Sequence, residues 1–326
     1  MSTLLDDERP LLLIGAGGQL GGEFVKQLRR HRGRVVATTS ERGGPLIHTQ
    51  RQARHANKDT SWRRVDVSNT EALAKLIDDL QPRVVINASA YTAVDQAETN
   101  HVTANAINAI APQVMAETCA AHGAVLVHFS TDYVFDGRSK DPYTEQDLAQ
   151  PLNEYGRSKL CGERAVLDLD AGHFVFRTSW LYTPGGHNFV TTMVRVLRGE
   201  SPVRVVNDQH GCPTWARDVA AVVSKWLVQT PTVELKRTAG LYHLCCAGHC
   251  SWHEFAVAIR ERMSPPAIAD LVAIDTATFG AVTIRPQRSV LDCTRARDIL
   301  NLRLPVWHEA IDAAMPAFND AAQVAH

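Results

Sequence analysis

Short apolar runs alternate with helix-length segments through the first half of the chain. Leu11–Ile14, Arg34–Ala37, Arg83–Asn87, Ala124–Phe129 and His173–Arg177 are each four to six residues long and rich in β-branched or aromatic side chains. Runs of that length, with no alternation of apolar and polar positions, mark strands buried on both faces. Between them, Gln19–Arg30, Asn69–Leu80 and Ala109–His122 have the length of helices. Strand, helix and strand in alternation predict right-handed crossovers and an α/β, doubly wound parallel sheet of Rossmann type. Beyond residue 180 the rhythm is irregular, with helices predicted over 188–199, 215–228, 252–263 and 307–317 and strands near 203–206 and 241–244. The expected division is a Rossmann domain of residues 1–178 with 215–240, and a smaller mixed α/β lobe of 179–214 with 241–326.

One segment interrupts the compact spacing. From Glu41 to Arg64 the chain is polar, with six cationic side chains (Arg42, Arg51, Arg54, Lys58, Arg63 and Arg64) against Glu41 and Asp59, a local charge of +4. It reads as a long surface loop after the second strand.

Composition narrows the function. Of 326 residues 45% are apolar and 21% charged, an ordinary globular mix of about two-domain length. A net charge of −1 argues against a phosphate-backbone binder, so no nucleic-acid partner is expected. No run approaches the ~18–20 apolar residues of a membrane span. The first ten residues are acidic and poor in apolar side chains, unlike a signal peptide. Seven cysteines, at 119, 161, 212, 245, 246, 250 and 293, have no framework spacing, which favours a reducing cytoplasm.

Chemistry enters at the first strand-to-helix junction. Gly15-Ala16-Gly17-Gly18-Gln19-Leu20-Gly21 follows the first strand and opens the first helix. Free N–H groups and the positive end of the helix dipole suit a pyrophosphate there, and side chains would block its approach. The spacing is G-x-x-G-x-x-G, and its placement in an alternating chain predicts a dinucleotide site. The acid that would grip a ribose 2′-hydroxyl is missing from Thr38-Thr39-Ser40-Glu41-Arg42. Hydroxyls and cations suit a 2′-phosphate, so NADPH is expected over NADH.

Tyr155-Gly156-Arg157-Ser158-Lys159 puts a phenol and an ammonium four residues apart, on one face of a helix. A phenol titrates near ~10, and a nearby cation lowers that value, so the pair can pass a proton to a carbonyl oxygen as hydride reaches its carbon. Ser130-Thr131-Asp132 ends a central strand at the carboxyl edge, where open α/β sheets bind ligands. Thr131 there can hydrogen-bond the same substrate oxygen as Tyr155.

The chain resembles an extended short-chain dehydrogenase/reductase, and within that group the dTDP-4-dehydrorhamnose reductase family. The matching motifs are Gly15–Gly21, Asn87–Asp95, Phe129–Gly137, Pro151–Lys159 with Gly162-Glu163, Arg177–Tyr182, Asn207–Thr214 and Arg285-Pro286, within roughly residues 11 to 318. The resemblance implies a catalytic group of Thr131, Tyr155 and Lys159, with Tyr155 the proton donor. It implies coenzyme contacts from Gly15, Gly18, Gln19, Leu20 and Gly21 on the phosphate side, Asp66 and Val67 near the adenine, and Ala90 and Thr92, with Tyr155 and Lys159, along the nicotinamide. Val94, Thr131, Asp132 and Trp180 would meet the sugar nucleotide, with Arg285 for its diphosphate. The implied reaction is reduction of dTDP-4-dehydro-β-L-rhamnose at its 4-keto group to dTDP-L-rhamnose. NADH as a second coenzyme and a homodimer stay open.

Some members of the family bind magnesium through glutamates at a dimer interface. Glu23 matches one such position, but Arg217 stands at another, and a cation is no metal ligand; no metal site is expected. His243, Cys245, Cys246, His249 and Cys250 lack the second spaced pair of a structural zinc site and read as core. Trp215, Trp226, Trp252 and Trp307 read as packing residues. Two other readings remain: an epimerase or dehydratase that retains its nicotinamide, and a non-catalytic relative such as the regulatory subunit of methionine adenosyltransferase.

Overall fold

The computed structural model describes residues 9–29, 33–40 and 60–323. Six strands, β1 (Leu11–Ile14), β2 (Val35–Thr39), β3 (Thr60–Arg64), β4 (Val84–Asn87), β5 (Val125–Thr131) and β6 (Phe174–Thr178), join the strand Gly240–His243 in one parallel sheet. The spatial order is Gly240–His243, β6, β5, β4, β1, β2, β3. From β1 the chain winds outward to β3, then crosses back to β4 and winds the other way. The crevice between the carboxyl ends of β1 and β4 is therefore the topological switch point, where such sheets bind ligands.

Side-chain alternation assigns the two faces. Leu11, Leu13, Val35 and Ala37 pack with α1 (Gln19–Leu28) and the helix Ala216–Gln229. Leu12, Ile14, Val36 and Val85 pack with the helices Thr70–Leu80 and Ala111–Ala121. Successive strand residues point to opposite faces, and both faces are covered, which is why these strands read as continuous apolar runs.

Two expectations need correction. The 41–64 segment is not loop to its end, because Thr60–Arg64 forms β3, paired with β2 from Val35↔Thr60 to Thr39↔Arg64. An edge strand has one neighbour and a half-covered surface, so it carries few apolar residues; here Trp62 alone packs on the core. The cations Arg42, Arg51, Arg54 and Lys58, with Glu41 and Asp59, lie outside the described residues. The strand expected at 241–244 forms at Gly240–His243 and pairs with β6. It completes the central sheet, whereas a boundary after residue 240 gives it to the smaller lobe.

That lobe holds a parallel pair, Val203–Val206 with Leu271–Ile274. Three helices, Phe189–Val196, Trp252–Glu261 and Trp307–Gln323, enclose a separate core that includes Tyr182, Phe255, Ile259, Ile311 and Phe318. No helix among the described residues is long and apolar enough to cross a membrane.

Candidate active site

The turn after β1 needs glycine for stated steric reasons. Gly15 has φ +82°, and a Cβ on Gly21 would stand 2.1 Å from the Gly15 carbonyl oxygen. α1 can approach the turn only without that atom, so Gly21 serves the packing of helix on turn. It does not line the cavity. Around the turn, Gly15 N–H donates to Thr38 Oγ1 (3.3 Å) and Ala16 N–H to the Thr38 carbonyl (2.8 Å), which ties the end of β2 to the turn.

From this turn a cavity of about 800 Å³ runs along the carboxyl edge of the sheet. Its walls include Gly15, Gly18, Gln19 and Leu20 at one end, Asp66 and Val67 beside them, Ala90 and Thr92 midway, and Thr131, Asp132, Tyr155, Lys159 and Trp180 at the far end. Thirteen expected residues thus share one elongated space. A side-chain-free turn opening a helix beside an elongated cavity fits a nicotinamide dinucleotide, on the chain's own geometry.

The candidate pair Tyr155 and Lys159 is set by a capped helix, Glu154–Leu167. Asn153 Oδ1 accepts from Gly156 N–H (2.8 Å), fixing where the helix begins and placing Tyr155 in its first turn. A Cβ on Gly156 would lie 2.3 Å from the Tyr133 carbonyl oxygen, so glycine beside Tyr155 lets the helix sit against the end of β5. Lys159 follows one turn later and is buried, with Nζ donating to the Phe129 carbonyl (2.6 Å).

Lys159 does not serve Tyr155 alone. Its Nζ lies 3.3 Å from His128 Nε2. Asn87 Oδ1 accepts from the N–H (3.0 Å) and hydroxyl (2.6 Å) of Ser89, which turns Asn87 Nδ2 towards His128 Nδ1 at 2.9 Å. Burial, with Lys159 adding to it, holds His128 well below its ordinary value and neutral. Burial pulls Lys159 down to about 8, and Glu163 one turn on opposes it. The phenol differs from the expectation that the cation lowers it: burial pushes Tyr155 up to about 12, a hydrogen bond from Thr131 opposes this, and Asp132 adds to it. The free protein therefore keeps this hydroxyl protonated.

Asp132 is buried and ringed by hydroxyls. Ser179 donates to Oδ2 (3.1 Å), Ser289 also bonds Oδ2, and Thr131 Oγ1 lies 3.2 Å from Oδ1, so its one hydroxyl proton is shared between Asp132 and Tyr155. Burial pushes its carboxyl up from 3.8 to about 6, against those hydrogen bonds. Between these two values the folded state holds a proton that the unfolded chain has released, so stability from this group falls as pH rises through the window. Asp132→Asn removes the titration. Its unfolding free energy relative to wild type is expected to rise between pH ~4 and ~6.5; urea unfolding at both pH values checks this, and a constant difference contradicts it.

Trp180 stands just after β6 with φ +46°, a backbone conformation a bulky residue adopts only when its surroundings impose it. Its ring stacks on Trp252, with centroids 3.4 Å apart and planes 4° from parallel. Trp252, expected to be packing alone, is the support that fixes the cavity-lining indole.

Two expected substrate residues stand apart. Val94 begins the short helix Val94–Ala97 and does not line the cavity. Arg285 does not line it either, since its Nη2 donates to both oxygens of Asp95 (2.8 and 2.9 Å). Its Nη1 donates to the Thr283 carbonyl (3.2 Å), so both terminal nitrogens already have protein partners. Glu23, matched to a metal position, is buried with Lys26 Nζ and Thr183 Oγ1 each 2.6 Å from its Oε1. Among the described residues no group of three or more His, Cys, Asp or Glu is placed to hold a metal ion. Cys245 Sγ lies 3.4 Å from Cys293 Sγ, with Cys245, Cys246 and Cys250 all buried.

The residues missed from sequence are supports. His128 offered a signal, a titratable group inside an apolar run buried on both faces. Asn108 offered none: from a π-helical turn, Ala106–Ile110, it bonds the Tyr91 N–H (2.8 Å) and carbonyl (3.0 Å) and the Ser158 hydroxyl (3.0 Å). It thereby ties the 88–92 wall of the cavity to the helix bearing Lys159.

Comparison with known proteins agrees with this arrangement. The family model described as RmlD substrate binding domain matches residues 9–319. The dTDP-4-dehydrorhamnose reductase of Burkholderia thailandensis is 36% identical over 309 residues, 92% of this chain and 96% of that protein. The protein of the same name from Salmonella typhimurium is 37% identical over 304 residues, 91% of this chain and 94% of the relative. Among solved structures, the dTDP-4-dehydrorhamnose reductase of Bacillus anthracis in complex with NADP is 31% identical, with TM-score 0.78, covering 95% of this chain and 99% of that one.

Proposed function

The chain belongs to the dTDP-4-dehydrorhamnose reductase family, and we propose from that membership and its site that it reduces the 4-keto group of dTDP-4-dehydro-β-L-rhamnose to dTDP-L-rhamnose with NADPH. The observation that carries this reading is one continuous cavity from the glycine turn to Thr131, Tyr155, Lys159 and Trp180. NADPH supplies the hydride. Gly18, Gln19 and Leu20 hold its phosphates, Asp66 and Val67 lie by the adenine, and Ala90 and Thr92 by the nicotinamide. Tyr155 gives the proton to the 4-oxygen, Thr131 hydrogen-bonds the phenol, and Lys159 holds positive charge beneath them. Trp180 offers a flat apolar face to the deoxysugar, and Asp132 a polar edge. We place the reaction in the cytoplasm, where seven unpaired cysteines suit the reducing conditions.

The test is a panel of dTDP-keto-sugars with NADPH, followed by loss of the reduced coenzyme's absorbance. Net oxidation with the 4-dehydro-rhamnose compound is expected. A coenzyme that stays bound with no net oxidation supports an epimerase or dehydratase instead, and binding of sugar nucleotide without any turnover supports a non-catalytic role.

A further inference from the structure

We propose that Arg64 reads the 2′-phosphate of NADPH and sets the coenzyme preference, an inference that rests on the reductase reading above. In the parallel β2–β3 ladder Thr39 lies beside Arg64, and Thr38 beside Arg63. Paired residues of neighbouring strands point to the same face, and alternate residues to opposite faces. The face can be identified independently: Ala37 and its partner Trp62 belong to the core beneath α1. Thr39, two residues on from Ala37, shares that face, and its Cγ2 stands 3.6 Å from where a Cβ on Gly17 would be. Arg64, two residues on from Trp62, therefore lies on the face that carries α1, and Arg63 on the opposite face with Thr38, whose Oγ1 also reaches the turn by accepting from Gly15 N–H.

The chemistry of the spot suits a phosphate. Thr38, Thr39 and Ser40 line the cavity at the end of β2, the position from which a carboxylate would grip a ribose 2′-hydroxyl. No carboxylate stands among these three, and three hydroxyls stand in its place. Arg64 is exposed; its side chain is not itself part of the cavity wall, but it directly precedes Val65, Asp66 and Val67, which are. Arg63, by contrast, turns its Nη1 to the Trp62 carbonyl at 3.3 Å. A planar guanidinium beside hydroxyls makes the bidentate contact that a phosphate monoester accepts.

Calorimetric titration of the full chain with NADP+, NAD+ and 2′-AMP tests this without turnover. Arg64→Ser is expected to raise Kd for NADP+ and 2′-AMP about 10- to 100-fold, the span of one charge-assisted hydrogen bond. Kd for NAD+ should change less than about twofold, which also shows that the variant folds. Arg64→Lys should recover part of the loss, and Arg63→Ser should leave all three ligands unaffected. Equal weakening of NADP+ and NAD+, no weakening of either, or the same loss from Arg63→Ser would overturn the assignment. A wild-type chain that bound neither dinucleotide would remove the reductase reading itself.

Discussion

Tyr155→Phe is expected to lower kcat at least ~10²-fold, the size of lost general-acid catalysis, while Kd for NADP+ changes little. The substitution keeps the ring and its edge-on contact with Tyr133, whose centroid is 5.9 Å away, and deletes only the hydroxyl. That hydroxyl is the group the chain keeps protonated, since burial pushes the phenol up to about 12 while Thr131 bonds to it. A donor must hold its proton until charge develops on the carbonyl oxygen, and only then is a stabilised phenolate useful. Steady-state kinetics with saturating dTDP-sugar and NADPH checks this. Unchanged turnover would take Tyr155 out of the mechanism, whatever the fate of the fold.

Glu163→Ala is expected to cost ~3–5 kcal/mol of stability, because it strands a buried guanidinium. Arg177 meets Glu163 through Nε (3.0 and 3.1 Å) and Nη2 (2.6 Å), with side chains only 4% and 1% exposed. Neither charge has water to turn to once its partner is gone. Replacing both residues by Met should recover most of the loss, since the pair itself is worth little against well-packed apolar side chains. Glu163 also supports the positive charge of Lys159 one turn away. The alanine variant should therefore lose activity at lower pH on the alkaline side than wild type. Denaturant unfolding and a pH–rate profile read the two effects, and a stability loss below ~1 kcal/mol would contradict the first.

Both predictions concern the helix Glu154–Leu167, and they show unequally legible kinds of information. The phenol and ammonium were legible because four-residue spacing puts them on one helical face. The support beneath them was not. Asn87 meets His128 only because β4 and β5 are neighbours, 41 residues apart in the chain, and His128 meets Lys159 only because the helix packs on β5. Asn108 reaches the loop at Tyr91 and the helix at Ser158 from a turn whose π-helical geometry has no periodic signature. Arg285 shows the converse: a motif residue suited to a phosphate, whose Nη2 is taken by an aspartate 190 positions away.

By itself the sequence determined the alternating parallel architecture, the glycine turn that opens α1, and the choice of Thr131, Tyr155 and Lys159 as candidate catalytic residues. Each is a local property, carried by apolar runs, by residues that permit a backbone conformation, or by spacing along one helix. Only the tertiary structure decided that β3 is a strand, that Gly240–His243 closes the central sheet, that Gly21 packs against the Gly15 turn, and that Trp252 braces Trp180. Those outcomes depend on which surfaces are left to cover and which partners arrive from distant segments. A buried group takes its ionisation and its orientation from neighbours that the linear order does not place beside it.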